Sequence, residues 1–262
     1  MSYALIDGDI VCYRAAIVQQ ETFKWDADTT TTTVSDNGPA RAAASALAMV
    51  RAWTQLAGMK RSILAFTGSN NFRKRLLPTY KSNRTAGKPL VYQETVMACE
   101  ERYRCERVQG LEGDDILGIL ATNPKYAGSV IVSVDKDLKT IPGRFFNPMK
   151  ASEGVLEVPE KDADLWWMMQ TLLGDTSDGY KGLPGCGKVR AEAILAKASG
   201  SLPGLWRRVV EAYMAKKFTQ ADALVQARVA RILRYEDWRQ PDKHIRLWHP
   251  TSPEWVPAVE TV

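Results

Sequence analysis

The sequence predicts an α/β fold: a central, mostly parallel sheet flanked by helices, followed by a helical C-terminal region. Three observations lead there. Short apolar runs at 3–6, 61–66 and 129–134 alternate with stretches whose apolar residues recur at helical spacing, the order of a parallel sheet crossed by helices. Acids stand just past the first and last of those runs, at the carboxyl ends of strands, where open α/β sheets bind ligands. From Asp162 onward the texture changes to helical segments around a glycine-rich loop.

Taken in order, the first apolar run ends at Asp7-Gly8-Asp9, and residues 10–17 read as the helix after it. Residues 22–36 alternate and are rich in threonine and aspartate, which suits an exposed hairpin or loop. Pro39 stands at a helix start, and residues 40–56 keep helical spacing up to Gly58. The strand at 61–66 leads into a basic segment over 72–84, read as helix interrupted at Pro78. Residues 92–104 read as helix, and Val108 leads to an acidic helix at 112–122. The β-branched run at 129–134 is a buried strand, and 144–147 is a candidate for one more. Residues 165–169 lie in a helix ending at Gly174, and the loop 179–187 opens a helix over 188–198. Two further helices are expected at 205–218 and 220–234, with an irregular tail from Trp238 because of Pro241, Pro250, Pro253 and Pro257. The chain therefore divides into an α/β unit at 1–160 and a helical region with its tail at 161–262.

Composition narrows the function classes. With 262 residues, 45% hydrophobic and 25% charged, the chain can bury a real core. The net charge of +5 is unevenly spread: from Lys60 to Arg84 there are seven basic residues and no acid, whereas acids gather at 112–137 and 153–178. A basic segment facing an acidic pocket suits a metal site that handles a polyanion. Four cysteines without a C-x-x-C pair, and two histidines near the end, argue against zinc and for free thiols in a reducing cytoplasm. No run approaches the ~20 apolar residues of a membrane span, and Asp7 interrupts any signal peptide.

The acids Glu112, Asp114, Asp115, Asp135 and Asp137 carry the most information. Each alone reads as a helix cap or a solvated turn. Together, at one helix start and one strand end, they can converge on one crevice, where mutual repulsion calls for a hard divalent cation. Asp7 can reach the same place or serve only as a turn residue. Asp9 can simply cap a helix. Asp175 and Asp178, three apart, can face one way. Gly182-Leu183-Pro184-Gly185-Cys186-Gly187-Lys188 is either a tight turn or a backbone cradle for phosphate at a helix start. Phe72-Arg73-Lys74-Arg75 and Tyr80-Lys81-Ser82-Asn83-Arg84 interleave aromatics with bases, as a nucleic-acid grip or a solvated helix face.

In this order the pieces resemble the 5′→3′ exonuclease and flap endonuclease family within the PIN-like nucleases. The resemblance rests on Leu5-Ile6-Asp7-Gly8-Asp9, the two basic motifs, Glu112-Gly113-Asp114-Asp115, Ser133-Val134-Asp135-Lys136-Asp137, Gly174-Asp175 with Asp178, and the glycine-rich turn. The exonucleases of short-tailed bacteriophages are most alike, through Ala65-Phe66-Thr67, Lys139-Thr140-Ile141-Pro142 and Ala230-Arg231-Ile232-Leu233-Arg234. The resemblance implies a PIN-like sheet with a basic helical arch at about 70–104 and a C-terminal helix–three-turn–helix. It implies metal-dependent hydrolysis of DNA from 5′ ends, with flap endonuclease and RNA–DNA hybrid activity, by a cytoplasmic monomer. Asp7, Glu112, Asp114, Asp115, Asp135, Asp137, Asp175 and Asp178 would hold two divalent cations, Mg²⁺ or Mn²⁺. Lys81 and Arg73 would reach the scissile phosphate. Lys74, Tyr80, Arg84, Gly182, Gly185, Gly187 and Lys188 would hold DNA, with a monovalent cation such as potassium at the turn. One departure stands out: where many members have an acid after the strand at 63–66, this chain reads Thr67-Gly68-Ser69. That departure supports the alternative of a catalytically weak DNA-structure-binding module on the same fold.

Overall fold

The computed structural model describes residues 1–25, 30–84 and 86–259. Strand β1 (Ala4–Asp7) is buried along its whole length and leads directly into α1 (Gly8–Ile17). An exposed antiparallel hairpin, β2 (Gln20–Lys24) and β3 (Thr30–Val34), follows; the expected hairpin or loop falls here, except that 26–29 lie outside the described residues. Next come α2 (Gly38–Leu56), β4 (Ser62–Thr67), the single turn α3 (Arg73–Leu76), α4 (Tyr92–Arg102), β5 (Arg104–Val108), α5 (Gly113–Thr122), β6 (Val130–Val132), β7 (Gly143–Phe146) and β8 (Leu156–Val158). Four helices follow: α6 (Glu160–Leu173), α7 (Lys188–Leu195), α8 (Leu202–Ala215) and α9 (Gln220–Ala230). Strands β9 (Trp238–Arg239), β10 (His244–Leu247) and β11 (Glu254–Pro257) end the chain.

The main sheet has the order β5-β4-β1-β6-β7-β8, parallel except for β8. After β1 the chain builds outward through β4 and β5, then returns to the other side of β1 with β6. That reversal makes β1 and β6 the switch point, where a crevice opens beyond the strand ends. The register places Ile6 beside Val132, so Asp7 and Ser133 are neighbours one residue further on.

Alternate residues of each strand serve opposite faces. Ile6, Leu64 and Val132 pack under α1, α2 and α4, while Leu5, Ile63 and Ile131 pack under α5. A third core joins α6 to α9 through Trp167, Leu172, Val209 and Tyr213. The expected irregular tail is instead a three-stranded antiparallel sheet whose Ile245 and Leu247 close the second face over α5, with Pro257 tolerated on the edge strand β11. Helix ends also differ from expectation: α7 stops at Leu195, and α8 runs three residues earlier than expected at both ends. Helix α4 stops at Arg102, because residues 104–108 pair with β4 as an edge strand, and α9 stops at Ala230.

The basic segment does not form a helical arch among the described residues. It holds one helical turn, α3, then turns through 78–83, and α4 lies flat on α1 and α2 through Val96 and Cys99. Its side chains explain why. Thr79 Oγ1 donates to the Gly179 carbonyl at 3.1 Å, the Lys81 backbone N–H to the Asp178 carbonyl at 2.8 Å, and Asn83 Nδ2 to the Thr176 carbonyl at 2.8 Å. The segment is stitched to the loop after α6. No helix among the described residues is long and apolar enough to cross a membrane.

Candidate functional site

A crevice of about 940 Å³ opens at the carboxyl edge of the sheet, lined by Asp7, Asp114, Asp135, Asp137, Asp175 and Asp178 with Lys74, Lys81 and Arg84 at its mouth. Asp7 caps α1: Oδ1 accepts from the Ile10 N–H at 3.0 Å, and Oδ2 accepts from the Ser133 hydroxyl at 3.1 Å. Burial, aided by the charges of Asp9 and Asp135, pushes its carboxyl up to about 7. Asp114, in the first turn of α5, is held well above the usual carboxylate range by burial and by Asp7, Asp135 and Glu112. Its oxygens accept no protein hydrogen bond among the described residues. Asp135 caps the 3₁₀ turn Lys136–Thr140 by accepting from the Asp137 N–H at 2.8 Å. Asp137 is pushed up to about 6 by burial and by Asp135, with Asp175 and Asp178 adding to it.

Two acids are satisfied differently. Asp175 accepts from the Ser177 N–H at 2.7 Å, the Ser177 hydroxyl at 2.6 Å and the Asp178 N–H at 3.2 Å; these outweigh partial burial and hold its carboxyl low. Burial would raise Glu112, but Lys81 and Arg73, with hydrogen bonds from Lys81 and Tyr80, hold it below the ordinary range. Lys81 contacts Glu112 directly and stands 3.6 Å from Asp178; Arg84 pairs with Asp178.

Four expected assignments are corrected. Asp115 is fully buried and spent: it accepts twice from Arg73 at 2.7 Å, from the Glu112 N–H at 3.0 Å and from the Leu233 N–H at 3.1 Å, leaving nothing for a metal. Arg73 is 2% exposed, and it also donates to the carbonyls of Val229 at 2.9 Å and Arg231 at 2.7 Å. It joins α3, α5 and the end of α9, and cannot reach a phosphate. Tyr80 is buried, with its hydroxyl donating to Glu112 at 2.8 Å, so its ring offers no stacking platform. Gly182 is buried with its N–H committed to Gln226 Oε1 at 2.9 Å. A Cβ there would meet the Gly174 nitrogen at 2.3 Å, so this glycine serves close packing of the turn against α6. Gly185, Gly187 and Lys188 are exposed at the start of α7, where free backbone N–H groups suit an anion.

Sequence reasoning missed Ser133, which is buried and orients Asp7, and undervalued Asp9. Asp9 Oδ2 accepts from the Thr67 N–H at 2.8 Å, while Oδ1 accepts from the Tyr92 hydroxyl and lies 3.4 Å from Lys88 Nζ. Thr67 Oγ1 accepts from the Gly113 N–H at 3.0 Å. A carboxylate therefore stands beside position 67 after all, delivered from the first turn of α1. Tyr92 is 83 residues from Asp9, and nothing local in the sequence pairs them.

Among the described residues no three carboxylate, imidazole or thiol groups already enclose a point as metal ligands. The donor chemistry nevertheless fits hard cations. The crevice is dominated by carboxylate oxygens, and burial together with the neighbouring acids raises Asp7, Asp114 and Asp137 above the ordinary carboxylate range. They fall into two sets, Asp7 with Asp114 and Asp137 with Asp175 and Asp178, and Asp135 acts on both.

Residues 2–149 match the family described as the N-terminal resolvase-like domain of 5′-3′ exonucleases. The chain is 36% identical over 224 residues to an exodeoxyribonuclease of Enterobacteria phage T3, covering 72% of this chain and 74% of that one. It is 37% identical over 223 residues to an exonuclease of Escherichia phage T7, covering 72% and 73%. Among solved structures, the D15 flap endonuclease of bacteriophage T5, in a complex with DNA and metal ions, superposes with a TM-score of 0.63 at 14% identity, covering 88% of this chain and 89% of that one. At that identity the likeness speaks for the fold alone.

Proposed function

The chain belongs to the 5′-3′ exonuclease family, and from that premise we propose that its crevice hydrolyses phosphodiester bonds of DNA from the 5′ end and releases 5′-phosphate products. The observation that carries this reading is the gathering of Asp7, Asp114, Asp135, Asp137, Asp175 and Asp178 in one crevice at the β1/β6 switch point, with Lys81 and Lys74 in the same lining.

Asp7, Asp114 and Asp135 on one side, and Asp137, Asp175 and Asp178 on the other, would hold two divalent cations, Mg²⁺ or Mn²⁺. When bound, these would lower the pKa of an attacking water and neutralise the leaving 3′-oxygen. The chain's own residues supply the rest. Ser133 keeps one oxygen of Asp7 turned toward β6, and the Ile10 N–H fixes the other. Lys81, now neutralising Glu112 and Asp178, is the cation within reach of a phosphate in the crevice and stabilises charge that grows in the transition state. Its position is built in: the backbone at Lys81 takes φ of 54° and is hydrogen-bonded to Asp178. Arg84 and Lys74, both exposed, grip the backbone further out. The N–H groups at Gly185, Gly187 and Lys188 hold the duplex away from the crevice without reading bases. Flaps and RNA–DNA hybrids fall within the same chemistry, because the crevice addresses the phosphodiester.

The alternative of a weak binding module rests on Thr67; the carboxylate of Asp9 beside that residue weighs against it. Digestion of duplex, flap and hybrid substrates, labelled at either end, with Mg²⁺ or EDTA tests the reading. Short 5′-labelled products appearing first, and only with Mg²⁺, are expected. Cleavage unaffected by EDTA, or starting from 3′ ends, would overturn it.

A further inference from the structure

A second cavity, of about 680 Å³, opens at the opposite edge of the main sheet, at the amino ends of β1, β4 and β5. Strand β4 spans about 17 Å at ~3.3 Å per residue, so this cavity lies roughly one strand length from the carboxylate crevice. Its wall carries Arg51, Lys60, Arg61, Arg102 and Arg104 and no acid. Among the described residues no carboxylate pairs with Arg51, Lys60, Arg61 or Arg102; Arg61 donates only to the Met1 sulfur, at 3.4 Å. Arg104 is shared with Glu106 and the Tyr126 hydroxyl.

Cations near helix C-termini commonly just offset the helix dipole, and α2 and α4 both end here. The magnitudes decide against that as a full explanation. Two helix ends carry together about one negative charge, and Glu106 adds one more, against five cations. Roughly three positive charges are left over, in a concave space, with no carboxylate paired to them among the described residues. Two half-buried aromatic side chains stand in the same wall: Tyr3, edge-on to Tyr126 at 5.9 Å, and Tyr103, whose hydroxyl donates to the Leu47 carbonyl at 3.4 Å. Cations with aromatic side chains nearby are the combination that holds a phosphate and a base, and the volume lies within the ~300–1,000 Å³ of small-ligand sites.

We propose that this cavity is a second nucleotide site, binding a nucleoside phosphate on the far side of the sheet from the reaction. Its occupant is either a released mononucleotide or one link of a single strand. The inference rests on DNA being the substrate, but not on the carboxylates being catalytic.

The test uses the full chain in EDTA, so that hydrolysis is absent, with dTMP, inorganic phosphate and a dT₁₀ oligonucleotide as probes. Arg51→Ala/Lys60→Ala/Arg102→Ala removes three exposed side chains without intramolecular ion pairs, so the fold is kept; Lys161→Ala, exposed at the start of α6 and outside both cavities, is the control. The triple variant should bind dTMP or dT₁₀ at least tenfold more weakly, while the control keeps that binding. If the occupant is a strand link, dT₁₀ alone is weakened, and its salt slope flattens by about two, at ~0.7 per phosphate contact on single strands. If it is a mononucleotide, dTMP is weakened as well. Wild-type-like binding of both by the triple variant, or inorganic phosphate binding as well as dTMP, would overturn the proposal. A protein that binds dTMP through this cavity yet fails to cleave DNA with Mg²⁺ would refute the nuclease reading alone.

Discussion

Replacing Lys81 by alanine separates a catalytic cation from a tether. The Lys81 side chain is 17% exposed, contacts Glu112 and lies 3.6 Å from Asp178. Without it Glu112 keeps two partners, Arg73 at 3.6 Å and the Tyr80 hydroxyl at 2.8 Å. Breaking a buried ion pair outright costs about 3–5 kcal/mol. With two partners left the loss should be about 1–3 kcal/mol, the range for a weakened buried polar group, so the variant folds with a lowered Tm. The rate tells more. A cation placed at the scissile phosphate stabilises the transition state beyond the ground state, and losing one such stabiliser lowers the single-turnover rate by about tenfold to a thousandfold. Affinity for duplex should change far less, since one phosphate contact is a small share of a salt-dependent total. Lys74→Ala, at an exposed position on the mouth, should show the reverse balance. The assay is single-turnover cleavage in Mg²⁺ beside binding in Ca²⁺ for both variants. Normal cleavage by Lys81→Ala at saturation, with only affinity lost, would refute the role assigned to this lysine.

Three further outcomes are expected. Asp7 and Asp137 hold protons up to about 7 and about 6, above an unfolded value near ~4. The folded state therefore binds more protons than the unfolded state between those limits. Metal-free protein should lose stability as pH rises from about 4 to 7, by roughly 1.4 kcal/mol for each tenfold gain in proton affinity that folding gives a buried carboxyl, and saturating Mg²⁺ should reverse the loss; a metal-free Tm that does not fall across this window would show that the acids are not crowded. Arg73→Met should destabilise by about 3–5 kcal/mol through the stranded Asp115, while the folded fraction at low temperature cleaves within a few-fold of normal; a stable but inactive variant would return Arg73 to the catalytic set. Gly185→Val should stay folded at a cost of about 1–2 kcal/mol for its left-handed backbone and bind duplex more weakly, whereas Gly182→Ala should fail by stability, its Cβ lying 2.3 Å from the Gly174 nitrogen; the opposite pattern in thermal melts and binding would reassign the two glycines.

Much of this is legible in the chain because it is local. The runs at β1, β4 and β6 are apolar on both faces, as central parallel strands must be, and their terminal acids follow the strand ends directly. What stays hidden is pairing over distance. Arg73 and Asp115 both look like exposed charges in sequence; only the fold shows that each buries the other, 42 residues apart. Tyr80 beside Lys81 reads as a stacking aromatic until its hydroxyl is found on Glu112. Strand β5 escapes because an edge strand with three charged residues in five reads like the end of the helix before it. The tail strands escape because Pro257 on an edge strand looks like the loop prolines around it. Asp9 is undervalued because its worth depends on Thr67, a neighbour only across the sheet.

The most direct measurement is made on Asp135→Asn. Asparagine keeps an oxygen to cap the Asp137 N–H but removes the charge that acts on Asp7, Asp114 and Asp137. Mn²⁺ titration by calorimetry and cleavage of a 5′-labelled duplex in Mg²⁺ would be compared with the unaltered protein. Weakened or lost binding of at least one ion, a cleavage rate down by about a hundredfold or more, the loss of one strong electrostatic element, and a metal-free Tm equal or higher are expected together. Full cleavage with undiminished metal binding by a folded Asp135→Asn protein would contradict the carboxylate crevice as the seat of the reaction.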